Sequence, residues 1–140
     1  MRPEQTAEQI HSAAIHLLRR LRQVDAASGL NSPRLSALSV IVFAGPLTLG
    51  QLADAEQVKP PTMTRIVHAL EAKGLVRKIA NPEDRRTIHL AATMKGKRLL
   101  LAARRRRIGP LADGIGRLSH GEQETLHTAM AILLGLVREL

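Results

Sequence analysis

The sequence contains no cysteine, tryptophan or tyrosine, and Phe43 is its only aromatic residue. Without cysteine, the chain cannot form disulfides, thiolate zinc sites or a cysteine nucleophile. The lack of aromatic side chains also disfavours binding to single-stranded nucleic acid, which relies on stacking. The core must therefore be built from aliphatic side chains, and the 44% hydrophobic content over 140 residues is enough for one ordinary globular domain.

Long apolar runs are absent as well. The longest, Ala129 to Leu134, continues through Gly135 to Val137 and falls far short of the roughly 18 residues that a membrane span needs. The first residues, MRPEQTAEQIH, are polar and carry acids, so they lack the apolar stretch of a signal peptide. We therefore expect a cytoplasmic protein with no membrane partner.

Positive charge is abundant and concentrated in one part of the chain. The formal net charge is +9, and residues 77–107 carry 11 basic against 2 acidic side chains. Such a surplus suggests a polyanionic partner, for which nucleic acid is the commonest candidate and a membrane surface the alternative. Because aromatic residues are lacking, double-stranded DNA is favoured over single strands.

The periodicity of apolar residues predicts six helices. The first runs from Glu4 to about Asp25, and the second begins at the Asn31-Ser32-Pro33 capping signal and ends before Gly45-Pro46. Capping boxes at Thr48/Gln51 and Ser119/Glu122 predict the starts of the third and the last helix. The fourth opens at Pro60-Pro61 and ends before Gly74, and the fifth begins after Thr93 and is weakened or ended near Gly109-Pro110.

Two short strands are predicted between the fourth and fifth helices. Leu75 to Ala80 and Thr87 to Ala91 flank the turn-forming loop at residues 81–86, which gives a hairpin with a basic tip. The predicted fold class is therefore mainly α with a small β-hairpin wing. Short helices followed by a hairpin form a winged helix-turn-helix. The last helix is apolar on more than one side, so we interpret the terminal helices as a dimerisation region, with burial inside the monomer as the alternative.

The fourth predicted helix has one apolar and one free face. Met63, Ile66, Val67 and Leu70 cluster on one side. Because a recognition helix enters the major groove by its N-terminal turns, the opposite side offers DNA contacts. The candidates are Lys59 for the phosphate backbone, Thr62 and Thr64 for phosphates or a thymine methyl, Arg65 for bidentate contact with guanine, and His68.

The hairpin tip carries a second set of candidates. Arg85 and Arg86 suit the minor groove, whose concentrated negative potential attracts arginine. Asp84 is either a simple turn former or a residue that orients a neighbouring arginine by a charge-assisted hydrogen bond. The run Arg104 to Arg107 circles its helix, so we interpret most of it as solvated.

Taken together, these segments resemble the MarR family of transcriptional regulators. The resemblance rests on LGQLA from Leu49, PTMTRIV from Pro61, LEAKGLVR from Leu70, NPEDRR from Asn81 and TMKG from Thr93. It implies a homodimer that binds a pseudo-palindromic operator, most simply as a repressor. It also implies that Arg65 and Arg85 contact DNA and that Asp84 steadies the wing.

The resemblance further implies a division of the chain into functional regions. Residues 1–30 and 108–140 would form a helical dimerisation region, residues 31–92 the winged helix-turn-helix, and residues 93–107 a connecting helix. Many relatives release DNA when a small, often phenolic, ligand binds between the two domains. Weak candidates for such a ligand site here are His11, Ile15, Leu38 and Val42.

Other functions find less support. The six histidines have neither metalloprotease spacing nor cysteine partners, and no nucleophile motif or phosphate-binding glycine loop is present, so we predict no enzyme, no cofactor and no metal site. A metal sensor built from scattered histidines and acids remains an alternative. So do a nonspecific or architectural DNA-binding protein without an effector and an RNA-binding winged helix.

Overall fold

The structure, a computed structural model, describes residues 1–81 and 83–140. Pro82, which was predicted to belong to the wing loop, lies outside the described residues. The elements are α1 (Pro3–Asp25), a short 3-10 turn (Ala26–Ser28), α2 (Ser32–Ala44), α3 (Leu49–Glu56), α4 (Pro60–Ala72), β1 (Val76–Ala80), β2 (Ile88–Ala92), α5 (Met94–Gly116) and α6 (His120–Glu139). This order confirms the predicted fold class, a mainly helical chain with a small β-hairpin.

Local capping chemistry sets several boundaries where the sequence predicts them. The side chain of Asn31 accepts a hydrogen bond from the third backbone amide of α2 at 3.0 Å. Thr48 and Gln51 form a reciprocal capping box at the start of α3, and Ser119 and Glu122 form another at the start of α6. Each box satisfies backbone donors that have no partner inside the helix.

The fifth helix is longer than predicted. Instead of weakening or ending near Gly109 and Pro110, α5 continues to Gly116 with the proline inside it. A proline in a helix interior removes one backbone hydrogen bond, but its fixed φ is compatible with helical geometry. The leucine and alanine that follow are strong helix formers, so the predicted end of this helix was wrong.

The hairpin is attached to the helices by a pairing that the sequence did not indicate. Strands β1 and β2 are antiparallel, with Val76 opposite Ala92 and Ala80 opposite Ile88, so the predicted strands are correct to within one residue. Leu47 and Leu90 also exchange two backbone hydrogen bonds, of 3.2 and 2.7 Å. The segment that leads into α3 is thereby fixed to the second strand of the hairpin.

The buried hydrophobic side chains of the described residues all lie between Leu30 and Ala103. The largest fully buried ones come from α2, α3, α4 and the start of the hairpin, and they are Leu38, Ile41, Leu52, Met63, Val67, Leu70 and Leu75. Because three helices and the hairpin share this core, it fixes the orientation of α4 relative to the hairpin.

The described chain divides into two compact units, Met1–Arg106 and Arg107–Leu140. In the first unit, Asp25 is the one buried residue of α1. In the second unit, no residue of α6 is buried. The large apolar side chains that stay exposed in the second unit are Ile108, Leu111, Ile115, Leu118, Leu126, Met130, Ile132, Leu134, Leu136, Val137 and Leu140.

Candidate nucleic-acid interface

Helices α3 and α4 are joined by a tight connection over residues 57–59. Gln57 adopts a left-handed conformation with φ 54°, and the backbone amide of Val58 donates to the carbonyl of Ala53 at 3.0 Å. The next helix opens at Pro60, where the missing amide of proline costs little because first-turn amides have no intrahelical acceptor. The two helices therefore form a helix-turn-helix whose second member is α4.

Helix α4 has the two faces that the sequence predicts. Met63, Val67 and Leu70 are buried in the core, whereas Arg65 and His68 are exposed on the other side. The segment from residue 57 to residue 70 contains no aspartate or glutamate. The exposed face of the first three turns therefore offers donors and positive charge with no competing carboxylate.

The hydroxyl groups at the start of α4 differ in their availability. Thr62 is exposed, and it has no hydrogen bond among the described residues. Thr64 is half-buried, and its hydroxyl donates to the carbonyl of Pro60 at 3.0 Å. The hydroxyl of Thr64 can then only accept a further hydrogen bond, so Thr62 is better suited to donate to a phosphate. Lys59, also exposed, is the residue that precedes the helix and has no side-chain cap bond.

The loop of the hairpin is a well-bonded turn. The backbone amide of Asn81 donates to the carbonyl of Thr87 at 3.1 Å, and the amide of Thr87 donates to the carbonyl of Asp84 at 3.0 Å. Arg85 and Arg86 lie at the turn between these bonds, and both are exposed. The turn therefore presents two neighbouring guanidinium groups to the solvent.

Asp84 supports this turn through the backbone. Its carboxylate accepts from the backbone amide of Arg86 at 3.0 Å and from the hydroxyl of Thr87 at 3.2 Å. The contact with Arg86 is thus made to the main chain, whereas the sequence suggested a contact with a guanidinium. Among the described residues, neither arginine side chain has a hydrogen-bond or ion-pair partner, so their donors are available to another molecule.

One cation near α4 was missed by the sequence reasoning. Lys78 of β1 lies 3.7 Å from a carboxylate oxygen of Glu71 and connects the hairpin to α4. A groove of about 200 Å3 lies between α3, α4 and the hairpin, and Thr64, His68 and Lys78 are its polar lining residues. The alternation of β1 could have indicated Lys78, because it shares a strand face with the buried Val76.

The four residues suggested for a small-molecule site differ in exposure. Leu38 is fully buried in the core of the first unit, and Val42 is half-buried against that core. His11 and Ile15 are exposed on α1. Without movement of the surrounding side chains, Leu38 could not contact a ligand directly.

Two further observations bear on the class of protein. Within residues 1–81 and 83–140, no three histidine or acidic side chains come close enough to hold a metal ion. In the same part of the chain, no helix combines the length and apolar character needed to cross a membrane. The helix-turn-helix and the hairpin with arginines at its turn together define a winged helix-turn-helix protein.

Comparisons with known proteins agree with this class. The model of the MarR family matches residues 30–88. A Mycobacterium bovis protein described as an uncharacterized HTH-type transcriptional regulator is 35% identical over 133 residues, which are 95% of this chain and 93% of the relative. The chain therefore belongs to the MarR family and is a transcriptional regulator, not an enzyme.

More distant matches add a repressor and a structure with DNA. The transcriptional repressor MdtR of Bacillus subtilis is 32% identical over 68 residues, 49% of this chain and 44% of that protein. A MarR family protein from Bacillus stearothermophilus has the same fold, with a TM-score of 0.87, 22% identity and 99% of both chains covered. FabT of Streptococcus pneumoniae, solved in complex with DNA, gives a TM-score of 0.77 at 19% identity, with 95% of this chain and 98% of FabT covered.

Proposed function

We propose that this protein is a sequence-specific regulator that binds double-stranded DNA as a homodimer on a pseudo-palindromic operator. The proposal rests on the exposed side of the N-terminal half of α4, which carries no carboxylate. The buried side of α4 shares its core with a hairpin that has two exposed arginines at its turn. The structural likeness to FabT, which was solved with DNA, supports it. A helix for the major groove and arginines for the minor groove suit duplex DNA.

We assign the contacts as follows. Arg65 reads a guanine in the major groove, because a guanidinium can bond bidentately to its O6 and N7 atoms. Thr62 and Lys59 contact phosphates near the start of α4. Thr64, whose hydroxyl already donates to Pro60, contacts a thymine methyl instead. His68 lies at the edge of the contact surface. In the minor groove, Arg85 and Arg86 insert while Asp84 holds the turn that carries them.

A second copy of the chain would cover the apolar surfaces of the terminal helices. In α6, Ile132 is 69% exposed and Val137 57% exposed, and large exposed apolar surfaces of this kind mark association sites. We propose residues 1–30 and 108–140 as the dimerisation region, residues 31–92 as the DNA-binding domain and residues 93–107 as the connecting helix. A two-fold dimer presents two recognition helices to the two halves of a symmetric site.

We further propose that the regulator is a cytoplasmic repressor that a small molecule releases from DNA. The name of MdtR, a repressor, supports the direction of regulation. A small aromatic or phenolic effector would bind near His11, Ile15 and Val42, with Leu38 moving from the core to admit it. Titrating candidate phenols into the protein–DNA complex tests this step, and unchanged affinity with every compound argues against it.

The main experiment is to sequence genomic DNA fragments that the purified protein retains and then to measure affinities at one fixed salt concentration. The best fragment, a random duplex and an RNA of the same length are compared. Specific regulators bind their site about 10³- to 10⁷-fold more tightly than random duplex. Equal affinity for both duplexes would favour the architectural alternative, and a preference for RNA would favour an RNA-binding winged helix.

Arg65→Ala tests the base-reading role of α4. We expect a loss of about 1 to 3 kcal/mol on the operator together with relaxed preference at one base position of each half-site. Affinities for operators with each base at that position measure the effect. Lys97→Met, which removes an exposed positive charge from α5 outside the proposed contacts and the dimerisation region, is the control. A uniform loss on all sequences would assign Arg65 to the phosphates.

Arg85→Ala tests the wing. The variant should bind the operator more weakly, and the slope of log K against log salt should fall by roughly one per lost contact. Filter-binding or anisotropy titrations over a range of salt concentrations measure both quantities, with Lys97→Met again as the control. If neither the slope nor the DNA footprint changes, the wing does not contact DNA.

A further inference from the structure

Three segments that are distant in sequence meet at the C-terminal end of α4. The helix is ended by Gly74, which has φ 70°. The amide of Gly74 donates to the carbonyl of Glu71 at 2.9 Å, and the amide of Leu75 donates to that of Leu70 at 3.0 Å. This closed helix end leaves the carbonyl groups of residues 73–75 as acceptors for other parts of the chain.

The first turn of α5 donates to all three of these carbonyls. The ammonium group of Lys95 donates to the carbonyl of Lys73 at 2.8 Å. Thr93 donates its hydroxyl to the carbonyl of Gly74 at 2.6 Å and its backbone amide to that of Leu75 at 3.0 Å. The recognition helix is therefore joined at its far end to the beginning of α5.

The two backbones approach so closely here that a side chain is excluded. A Cβ atom built on Gly96 would lie 2.1 Å from the carbonyl oxygen of Leu75. The amide of Gly96 in turn donates to the hydroxyl of Thr93 at 3.0 Å, which caps α5. The start of α5 and the segment after α4 thus have little freedom to shift relative to each other.

Lys73 extends this connection to the turn that follows α1. Its ammonium group donates to the carbonyl of Gly29 at 3.2 Å, across 44 positions of sequence. That turn is itself ordered by hydrogen bonds, because the hydroxyl of Ser28 donates to the carbonyl of Asp25 at 2.7 Å and accepts from the amide of Leu30 at 3.1 Å. Lys73 therefore links the end of α1 to the end of α4, and its own carbonyl links α4 to α5.

Charge alone would suggest that these lysines contact phosphates. Their position argues otherwise, since α4 has 13 residues and is therefore about 20 Å long, with Thr62 in its first turn and Arg65 near its middle. A lysine at a helix C-terminus also interacts favourably with the carbonyl groups there. The side chain of Lys97, two residues after Lys95 and exposed like it, makes no hydrogen bond or ion pair within the part of the chain that the structure describes.

We propose that Lys73 and Lys95 are positioning residues for DNA recognition. They fix the C-terminal end of α4 against the end of α1 and the start of α5, and this sets the angle at which α4 enters the major groove. The inference rests on the proposed function, because in a dimer the same angle sets the distance and rotation between the two recognition helices. A loosened junction would let the protein accept half-sites at incorrect spacings.

The test compares Lys73→Met and Lys95→Met with the control Lys97→Met on operators of different spacing. One inserted base pair rotates one half-site by roughly 35° relative to the other, which a rigid dimer should reject. We expect the ratio of affinities for the native and the inserted operator to fall severalfold in the first two variants and to stay unchanged in Lys97→Met. A general loss of stability would weaken binding to both operators equally.

Salt dependence separates positioning from phosphate contact. A positioning lysine releases no counterions from DNA, so Lys73→Met and Lys95→Met should keep the wild-type slope of log K against log salt. A slope lowered by about one per lost contact, with the spacing preference intact, would overturn the proposal. So would variants that behave in every titration as Lys97→Met does.

Amide hydrogen exchange on the free protein tests the junction without DNA. Loss of one hydrogen bond should make the amides of Gly74 and Leu75 exchange roughly 2- to 12-fold faster in the two variants. Unchanged exchange would overturn the inference whatever the DNA result. Failure of the proposed function looks different, because the wild-type protein would then show no preference for any duplex while these amides still respond to the substitutions.

Discussion

The segment from α2 to β2 and the terminal helices differ in how far they bury their apolar side chains. Leu38 and Leu52 are completely buried in the first region, whereas Leu134 and Leu136 of α6 are 54% and 48% exposed. Most of the buried core therefore lies within the winged helix, and Leu100 and Ala103 of α5 complete it. The terminal helices expose many of their apolar side chains, as is expected of an association region.

The regions of the chain differ in net charge as well as in burial. The surplus of positive charge lies in residues 77–107, and residues 108–140 carry 2 basic and 4 acidic side chains. Long-range attraction of a polyanion is therefore a property of the hairpin and the first half of α5. The second unit contributes apolar surface, so positive charge and exposed apolar side chains lie in different parts of the chain.

The first prediction concerns the contribution of the winged-helix core to stability. Leu38→Ala should lower the free energy of unfolding by about 2 to 5 kcal/mol, because it removes buried contacts and leaves a cavity. Urea unfolding at several protein concentrations measures it, and the loss should be the same at each concentration. Leu101→Ala makes the same chemical change at a site that is 41% exposed and should cost much less. Equal losses would abolish the distinction between core and surface.

The second prediction concerns the exposed face of α6. Leu134 and Val137 are 54% and 57% exposed and, three residues apart, lie on one face of the helix. Replacing both by glutamate should raise the dissociation constant of the proposed dimer by at least roughly 100-fold, because a buried, unpaired charge costs several kcal/mol. Sedimentation at several concentrations measures this constant. Thr128→Glu adds charge at an exposed polar position of the same helix and is the control. A double variant that associates like the wild-type chain would show that α6 is not the interface.

Much of the fold could be predicted because its signals are local. The Thr48/Gln51 and Ser119/Glu122 boxes need only residues three positions apart, and both form as predicted. The end of α5 was predicted wrongly because Gly109-Pro110 was interpreted as a stop, whereas the helix accepts the proline and continues to Gly116. A capping box satisfies backbone donors at both of its positions, whereas a proline removes one hydrogen bond and crowds one carbonyl, which disturbs a helix without always ending it.

The exposed residues of the candidate site could be predicted from the sequence, whereas the hydrogen bonds that join distant segments could not. The exposed and buried faces of α4 follow from helical periodicity, which predicted the exposure of Arg65 correctly. The bond from Lys73 to Gly29 and the bridge between Leu47 and Leu90 join residues 44 and 43 positions apart. No local pattern encodes such pairs, because they depend on how the whole core places distant segments.

The start of α6 is defined by local hydrogen bonds and not by burial. The backbone amide and the hydroxyl of Ser119 donate to the carboxylate of Glu122 at 2.9 and 2.8 Å, and these bonds hold the pKa of Glu122 below its ordinary value of 4.5. Because the folded state lowers this pKa, the capping bonds stabilise α6 above the ordinary value and are lost as the pH falls through the lowered one.

Ser119→Ala should therefore raise the pKa of Glu122 towards its ordinary value without restoring it fully. The backbone amide, which has the larger effect, still donates in the variant, and only the hydroxyl bond is lost. A carbon-detected NMR titration of the Glu122 carboxyl group measures the shift, with Thr128→Ala as a control that leaves the pKa unchanged. An unaltered titration in Ser119→Ala would mean that the hydroxyl does not hold the carboxylate, and that the backbone amide alone accounts for the lowered pKa.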